Sequence, residues 1–213
     1  DPTDQFILDP QDYADAEDNV VLTYDINPEK RSPKDIELDH LVECDFVFVC
    51  VPTPMNSDGS CHTDIVENVV ADLREAQVEN INVRSTVPVG TCRDLGVNFM
   101  PEFLTEANWE EDFKSTKEWL IGLDDNKNND LKKKLRRVLL TARHNGKINN
   151  ACIRWCSSEE AESVKLVKNS FLATKVAFFN EVYDFCQAKN IEYEAIIEML
   201  VLDDRINVSH TAV

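Results

Sequence analysis

The run DFVFVCV, residues 45–51, is an almost unbroken series of apolar residues that leads into the loop PTPMNSDGS. A short apolar run of this kind is typical of a central strand that is covered on both faces. The next segment, DIVENVVADLREA (64–76), predicts an amphipathic helix that begins at Asp64. A further apolar segment, INVRSTVP (81–88), predicts the next strand. Strands that alternate with helices indicate an α/β fold with a parallel, doubly wound sheet.

The alternation extends along the chain in both directions. Short strands are predicted for VVLTYDI (20–26), VNFMPEF (97–103) and WLIGL (119–123), and a helix for LKKKLRRVLLTA (131–142). Residues 1–19 contain seven acidic residues and no basic one, so we expect them to form an exposed or irregular leader.

A single long helix is predicted from Ser158 to Asn190. Its apolar residues repeat at helical spacing in two adjacent stripes, the first made of Val164, Val167, Phe171, Phe178, Val182 and Phe185, and the second of Leu172, Val176, Phe179, Tyr183 and Cys186. A helix that is apolar over two faces needs two partners. We expect the sheet domain to cover one face. We expect a second copy of the chain to cover the other, because little chain follows Asn190; a second helical layer is the alternative.

Composition limits the classes of partner. The chain has 213 residues, 43% of them hydrophobic, and a formal net charge of −18. This charge argues against nucleic acid or an anionic membrane as a partner, because lysine and arginine supply the attraction to phosphate. A small phosphorylated ligand remains compatible with it, since backbone N–H groups and one or two cations are enough to bind one. No apolar run is long enough to span a bilayer.

The seven cysteines do not follow the pattern of a small disulfide-rich domain. Cys50 lies in a predicted strand and Cys186 in a predicted helix, which indicates reduced thiols and a cytoplasmic location. Cys152 and Cys156 form a CxxxC pair, but no second Cys/His pair lies near them in the sequence. We therefore predict no metal site.

The strand INVRSTVP ends in a polar turn that contains Ser85 and Thr86. At the carboxyl end of a strand in an open α/β sheet, such a turn usually faces a ligand crevice. The alternative is a turn whose hydroxyls bond to their own backbone.

Five stretches together resemble the UDP-glucose/GDP-mannose dehydrogenase family, in their order and in their spacing. They are VCVPTP (49–54), RSTVPVG (84–90), NFMPEFLTE (98–106), AESVKLVKNSFLATKVAFFNE (161–181) and DDRI (203–206). The resemblance covers about residues 20–210. It implies a Rossmann-like NAD-binding domain over 20–157, and a long helix with the start of a substrate and dimerisation domain over 158–213. It also implies oxidation of the primary alcohol of a nucleotide sugar, most simply UDP-glucose, to a carboxylate in two NAD-dependent hydride transfers, the second through a cysteine thioester.

The resemblance assigns catalytic roles to Thr86, Glu102, Lys165 and Asn169. Thr86 resembles the threonine that helps to hold the catalytic water. Glu102 resembles the acid that assists proton transfer or positions water during thioester hydrolysis. Lys165 and Asn169, four residues apart and so on one helix face, resemble the pair that binds the reacting sugar and stabilises the developing oxyanion. Outside this motif, such charged residues are typical of a solvated surface.

The resemblance also implies which residues bind the cofactor. Val51, Pro52, Thr53, Ser85 and Thr86 resemble the family's cofactor-proximal segments. Asp25 fits the carboxylate that accepts hydrogen bonds from the adenosine ribose; it is also typical of a turn.

The resemblance implies that two other residues contact the substrate. Glu106 resembles a second acid of the substrate loop. Arg205 resembles the arginine that reaches the substrate in a neighbouring subunit's site, and outside the DDRI motif it would be a surface charge.

The sequence departs from the family pattern in two places. The first glycine is Gly59, so no G-x-G-x-x-G turn precedes the predicted strand 20–26, and NAD binding is expected to be weakened. Asn207 follows DDRI where the family has glycine, and none of the cysteines lies in the context of the family's nucleophile. We therefore expect a dehydrogenase of the UDP-glucose type that is truncated or inactive as given. The alternatives are a non-catalytic structural or interaction protein derived from the family, and a fragment of a longer product.

Overall fold

The computed structural model describes residues 20–105, 107–123 and 128–211. The chain divides into two compact units, one ending at Ser163 and the other beginning at Val164. Glu106 and the leader over residues 1–19 lie outside the described residues.

The first unit contains a five-stranded sheet whose spatial order follows the order along the chain. Its strands are β1 (Val47–Val49), β2 (Ile81–Val83), β3 (Asn98–Phe99), β4 (Trp119–Leu123) and β5 (Ile153–Ser157). Neighbouring strands are parallel except for β3 and β4, which pair antiparallel through Phe99 and Gly122. The prediction of an α/β sheet is confirmed, and the sheet is mixed instead of wholly parallel.

Six α-helices lie in the described part of the chain. They are α1 (Asp64–Glu75), α2 (Thr91–Leu95), α3 (Trp109–Lys114), α4 (Asn129–His144), α5 (Ser158–Lys189) and α6 (Tyr193–Leu200). The Asn128 side chain accepts a hydrogen bond from the Leu131 N–H and so caps the start of α4. The predictions of α1, α4 and α5 are confirmed to within a few residues.

The core of the first unit lies on both faces of the sheet. Leu120 of β4 packs in a cluster with α1, β1 and β2, whereas its neighbours Trp119 and Ile121 pack in a second cluster with α4. Successive side chains of a strand point to opposite faces, so the helices α1 and α4 cover opposite sides of the sheet. This arrangement is the doubly wound one that the alternation predicts.

The prediction of a strand over residues 20–26 is wrong. Only Thr23 makes a β-bridge there, antiparallel to Ser32, and Val20, Val21 and Ile26 are exposed. An apolar run forms a strand only when a neighbouring strand satisfies its backbone groups, and within the described residues this segment has no partner beyond the single bridge.

The second unit consists of the remainder of α5, the helix α6 and the segment that follows it. Phe179 and Cys186 of α5 are buried with Tyr193 and Ile197 of α6. The Tyr193 hydroxyl donates to the Thr211 carbonyl oxygen at 2.6 Å and holds the following segment against the helix. The chain after Asn190 therefore covers part of the second apolar stripe, which corrects the expectation that too little chain remained to do so.

Gly122 of β4 lies where the sheet meets the start of α5. A Cβ atom at this position would lie 2.7 Å from the Ser158 Cα, 2.8 Å from the Ser157 carbonyl oxygen and 2.9 Å from the Ala161 Cβ. Two of these neighbours are backbone atoms that cannot rotate away. Only glycine permits this close approach.

We expect Gly122→Ala to lower the free energy of unfolding by about 1–3 kcal/mol, because the added methyl group overpacks the junction. Thermal unfolding followed by circular dichroism measures the change. Gly146→Asn is the matched control, since Gly146 has open space around it and a φ of 66° that asparagine tolerates. Equal melting temperatures for Gly122→Ala and the native protein would contradict the packing argument.

Candidate functional site

The carboxyl ends of β1, β2 and β3 lie at one edge of the sheet, because these three strands are parallel. The ladder continues just past them: the Arg84 N–H donates to the Val49 carbonyl and the Met100 N–H to the Val83 carbonyl, both at 2.9 Å. The predicted site residues of the first unit that follow these strands therefore emerge at this edge.

Ser85 joins the segments that leave β1 and β2. Its Oγ accepts from the Val51 N–H at 2.9 Å and donates to the Val51 carbonyl oxygen at 2.7 Å. The side chain is buried and both of these bonds are to one residue. Ser85 thus fixes the loop of Val51, Pro52 and Thr53 beside the turn that follows β2, and its hydroxyl is committed to this contact.

Thr86 follows in the same turn and is half-buried. Its carbonyl oxygen accepts from the Cys61 thiol at 3.7 Å, which attaches the turn to the loop after β1. Its hydroxyl makes no hydrogen bond to any of the residues that the structure describes. This hydroxyl is therefore available to a water molecule or a ligand at the edge.

Glu102 lies after β3 and pairs with Arg84, which follows β2. Their side chains are 3.6 Å apart, with Arg84 largely buried and Glu102 about half exposed. The guanidinium also lies 5.7 Å from the centroid of the Phe48 ring, in a cation–π contact. The acid predicted for catalysis is thus held near the turn of Thr86 by an ion pair and remains accessible to water.

Glu162 in the second turn of α5 was not predicted as a site residue. It is fully buried, and its two carboxylate oxygens accept from the backbone N–H groups of Gly90 at 2.6 Å and Cys92 at 2.8 Å. The signal in the sequence was the acidic residue beside Ala161 in AESVK, which reads equally well as a solvated helix residue.

Asp25 follows the bridge at Thr23 and forms a local turn. Its Oδ1 accepts from the Asn27 N–H at 2.7 Å, and its carbonyl oxygen accepts from the Arg31 guanidinium at 2.9 Å. One carboxylate oxygen is engaged in this turn. The predicted contact with a ribose stays a prediction.

In the second unit, Lys165 and Asn169 lie one turn apart on α5, as their spacing requires. Lys165 is buried, with 5% of its surface exposed, and Asn169 is exposed. The reading of Lys165 as a solvated helix residue is therefore wrong.

Arg205 is exposed and bonds through Nε and Nη2 to both carboxylate oxygens of Asp203. This pairing raises the pKa of Arg205 and lowers that of Asp203. The guanidinium keeps its charge and is oriented by its neighbour.

The seven cysteines are thiols, none joined in a disulfide within the described residues. Burial, with a smaller contribution from Glu160, raises the pKa of the Cys156 thiol to about 11, so this thiol is protonated at neutral pH and is a poor nucleophile. In the described ranges no group of three or more His, Cys, Asp or Glu side chains is placed to hold a metal ion.

The carboxyl edge of the sheet is the place where a dinucleotide lies in proteins with a Rossmann-like sheet. Rossmann-like sheets bind dinucleotides beyond the carboxyl ends of their strands, where β1 and β2 place a free threonine hydroxyl and the backbone of residues 51–53. Residues 20–58 contain no glycine, so this described stretch offers no glycine-rich turn to a pyrophosphate.

A mixed sheet with helices on both faces and polar turns at the carboxyl ends of its strands defines the Rossmann-like class. Residues 29–140 match the NAD binding domain of the UDP-glucose/GDP-mannose dehydrogenase family, and residues 159–212 match the central domain of that family. The chain belongs to the UDP-glucose/GDP-mannose dehydrogenase family.

Two curated relatives illustrate the similarity. UDP-glucose 6-dehydrogenase of Campylobacter jejuni is 32% identical over 170 residues, which cover 75% of this chain and 42% of that protein. UDP-glucose 6-dehydrogenase of Rhizobium meliloti is 31% identical over 180 residues, covering 76% of this chain and 40% of that protein. The chain thus spans about two fifths of the length of these relatives.

Solved structures agree with this assignment. A UDP-glucose dehydrogenase from Pyrobaculum islandicum superposes with a TM-score of 0.68 at 27% identity, covering 82% of this chain and 43% of that one. A GDP-mannose dehydrogenase from Pseudomonas aeruginosa, solved as a ternary complex, superposes with a TM-score of 0.66 at 25% identity, covering 81% and 43%. The predicted family and its Rossmann-like fold are confirmed.

Among the helices that the structure describes, none is both long enough and apolar enough to cross a membrane.

We expect Ser85→Ala to destabilise the edge by about 1–3 kcal/mol, because the Val51 N–H and carbonyl lose the hydroxyl that satisfies both. Thermal unfolding measures the stability, and hydrogen exchange of the Val51 amide measures the local effect. Ser115→Ala, at an exposed position after α3, is the control. An unchanged exchange rate at Val51 in Ser85→Ala would refute the role of this hydroxyl.

Proposed function

We propose that this chain acts in the NAD-dependent oxidation of the primary alcohol of a nucleotide sugar, of the UDP-glucose type, to a carboxylate. The observation that carries the proposal is the contact of Ser85 with Val51, which fixes the exits of β1 and β2 with the Thr86 hydroxyl beside them. The relatives from Campylobacter jejuni and Rhizobium meliloti are UDP-glucose 6-dehydrogenases, which supports the same substrate class.

Oxidation of an alcohol to a carboxylate removes four electrons, so two molecules of NAD would each accept one hydride, and the residues of the edge would position what reacts with them. The backbone of Val51, Pro52 and Thr53 lines the nicotinamide side with Ser85, and Asp25 binds the ribose. The Thr86 hydroxyl holds a water molecule. Glu102 assists proton transfer, a role that its half-exposed carboxylate supports, since a general base must exchange its proton with solvent after each turnover.

Lys165 binds the reacting sugar and stabilises negative charge on its oxygen, together with Asn169. The support for this role is burial, since Lys165 is 5% exposed and lysine is almost never fully buried unless it is paired. A cation in such surroundings acts on a developing oxyanion more strongly than a solvated one.

Glu106 and Arg205 complete the proposed substrate contacts. Arg205 extends into solvent with its guanidinium oriented by Asp203, which suits a residue that contributes to a neighbouring copy of the chain. We place the protein in the cytoplasm, where reducing conditions maintain the thiols.

We further propose that two copies of the chain associate through the first stripe of α5. Val164, Phe171, Phe178 and Phe185 recur at seven-residue intervals and are between 46% and 66% exposed. A repeat of seven keeps one seam of a helix facing a partner helix along its length. Three exposed phenylalanines in one line form an apolar patch of the kind that marks an interaction surface.

NADH formation from NAD and UDP-glucose, and separately from NAD and GDP-mannose, tests the reaction. We expect NADH with UDP-glucose from a form of the protein that also supplies a glycine-rich turn and a nucleophilic cysteine, and we expect Lys165→Ala to remove about 99% of that turnover by taking away the cation at the developing oxyanion. Lys168→Ala, an exposed neighbour on the same helix, is the control and should retain the native rate.

Native-like turnover in Lys165→Ala would refute the role of this lysine alone. A folded form that contains both of these elements and still forms no NADH with either substrate would refute the oxidation and favour a non-catalytic member of the family, whose function lies in association.

The association is tested by light scattering during size-exclusion chromatography. We expect a dimer for the native protein and a monomer for Phe178→Glu, since the charge would be buried in the seam. Gln187→Glu, which lies on the opposite side of α5, is the matched control and should stay dimeric. A monomeric native protein at micromolar concentration would contradict the proposed dimer.

A further inference from the structure

Among the described residues of the first unit, Glu162 is a buried charged residue for which the proposed reaction gives no role. It lies on α5 and contacts residues about seventy positions earlier in the chain, at the start of α2. Both oxygens of its carboxylate are used, and both accept from backbone N–H groups. Such bonds to an ionised group are among the stronger hydrogen bonds in proteins.

The residues that Glu162 contacts are the end of the turn that carries Thr86. The turn begins at Ser85, runs through Thr86 and ends at Gly90, which has a φ of 95° and precedes α2. The beginning of the turn is fixed to the loop after β1 by Ser85 and by the Cys61 thiol. Its far end is fixed by Glu162, through the N–H groups of Gly90 and Cys92.

The helix α2 has no side-chain cap of its own. Gly90, at its N-cap position, carries no side chain, and the helix is only five residues long. The buried N–H groups of Gly90 and Cys92 need hydrogen-bond partners at this helix start, whereas the Thr91 N–H donates to the Pro88 carbonyl oxygen. Glu162 supplies these partners from a different element, so the position of the turn depends on the position of the first turns of α5.

We propose that Glu162 is a positioning residue that holds the turn of Thr86 in the geometry needed for the reaction. The carboxylate anchors Gly90, Ser85 anchors the other end, and Thr86 between them is restricted to one place at the edge of the sheet. The relevance of this restriction to catalysis rests on the function proposed above; the restriction itself does not.

A purely structural role would have a different consequence. If Glu162 only stabilised the junction of α5 with the sheet, its loss would lower the melting temperature and leave the conformation of the turn unchanged in the folded state. A positioning role requires that the turn become mobile while the sheet stays intact. Residue-specific amide exchange and NMR line shapes separate the two.

The experiment compares the native protein with Glu162→Ala, Glu162→Gln and the control Glu160→Gln by ¹⁵N-resolved NMR. Glu160 is an exposed acid in the same part of α5. Its carboxylate accepts hydrogen bonds from the N–H and the hydroxyl of Ser157 and does not contact the turn. In Glu162→Ala we expect the amides of Gly90 and Cys92 to exchange at least tenfold faster and the Thr86 amide signal to broaden or split. The β2 amides Ile81 and Val83 should keep their native rates.

Glu162→Gln retains one acceptor oxygen, so the Gly90 and Cys92 amides should keep about half of their native protection from exchange. This variant also keeps the proposal testable if Glu162→Ala does not fold. Native Thr86 signals in both variants, with only a lowered melting temperature, would overturn the positioning role.

Titration with NAD, followed by the same NMR signals, links the turn to the proposed function. We expect Glu162→Gln to bind NAD about tenfold more weakly than the native protein and Glu160→Gln to bind it normally. A loosened turn with native affinity for NAD would overturn the role of Glu162 in the reaction. A native protein that binds no NAD would overturn the proposed function, and the exchange rates of Gly90 and Cys92 would still decide whether Glu162 holds the turn.

Discussion

The close approach of the first turn of α5 to Gly122 is the constraint on which the rest of the described sheet unit depends. A strand and a helix that meet with backbone against backbone leave no room for even one methyl group. The helix start is thereby held in close contact with the strand. Ser158 completes the contact, since its hydroxyl donates to the Val97 carbonyl just before β3. Because Glu162 lies one turn further along the same helix, its carboxylate reaches the start of α2 only if Gly122 permits this seating.

The candidate site follows from this geometry through hydrogen bonds more than through apolar packing. A turn of six residues beyond a strand cannot bury enough surface to hold itself in one conformation, because ordering each residue costs about 1–2 kcal/mol of backbone entropy. Ser85 and Glu162 offset part of this cost from two different directions. The Thr86 hydroxyl is left without a partner among the described residues, and it is the group that a ligand can use.

The sequence was sufficient to predict what depends on local pattern. The apolar run of β1, the five residues of β4 and the helical period of α5 identified their elements, and the motifs identified the family. Features that depend on distant contacts were missed. Residues 20–26 have the composition of a strand but lack a neighbour, and β5 was overlooked although it pairs along its whole length with β4. Glu162 resembled a surface acid because its partners lie about seventy residues away, and the burial of Lys165 is equally invisible in a helical pattern.

The charge of the chain constrains how it can recognise the ligands proposed for it. A formal net charge of −18 repels NAD and a nucleotide sugar at long range, although salt limits that repulsion to about 8 Å under physiological conditions. Recognition must then depend on groups at short range that water does not screen. Arg84 at the edge is already paired with Glu102 and contributes little net charge. Lys165 is buried, and a cation removed from water interacts with an anion several times more strongly than one on the surface. An acidic protein can therefore bind anionic ligands when a few buried groups, instead of the overall field, supply the attraction.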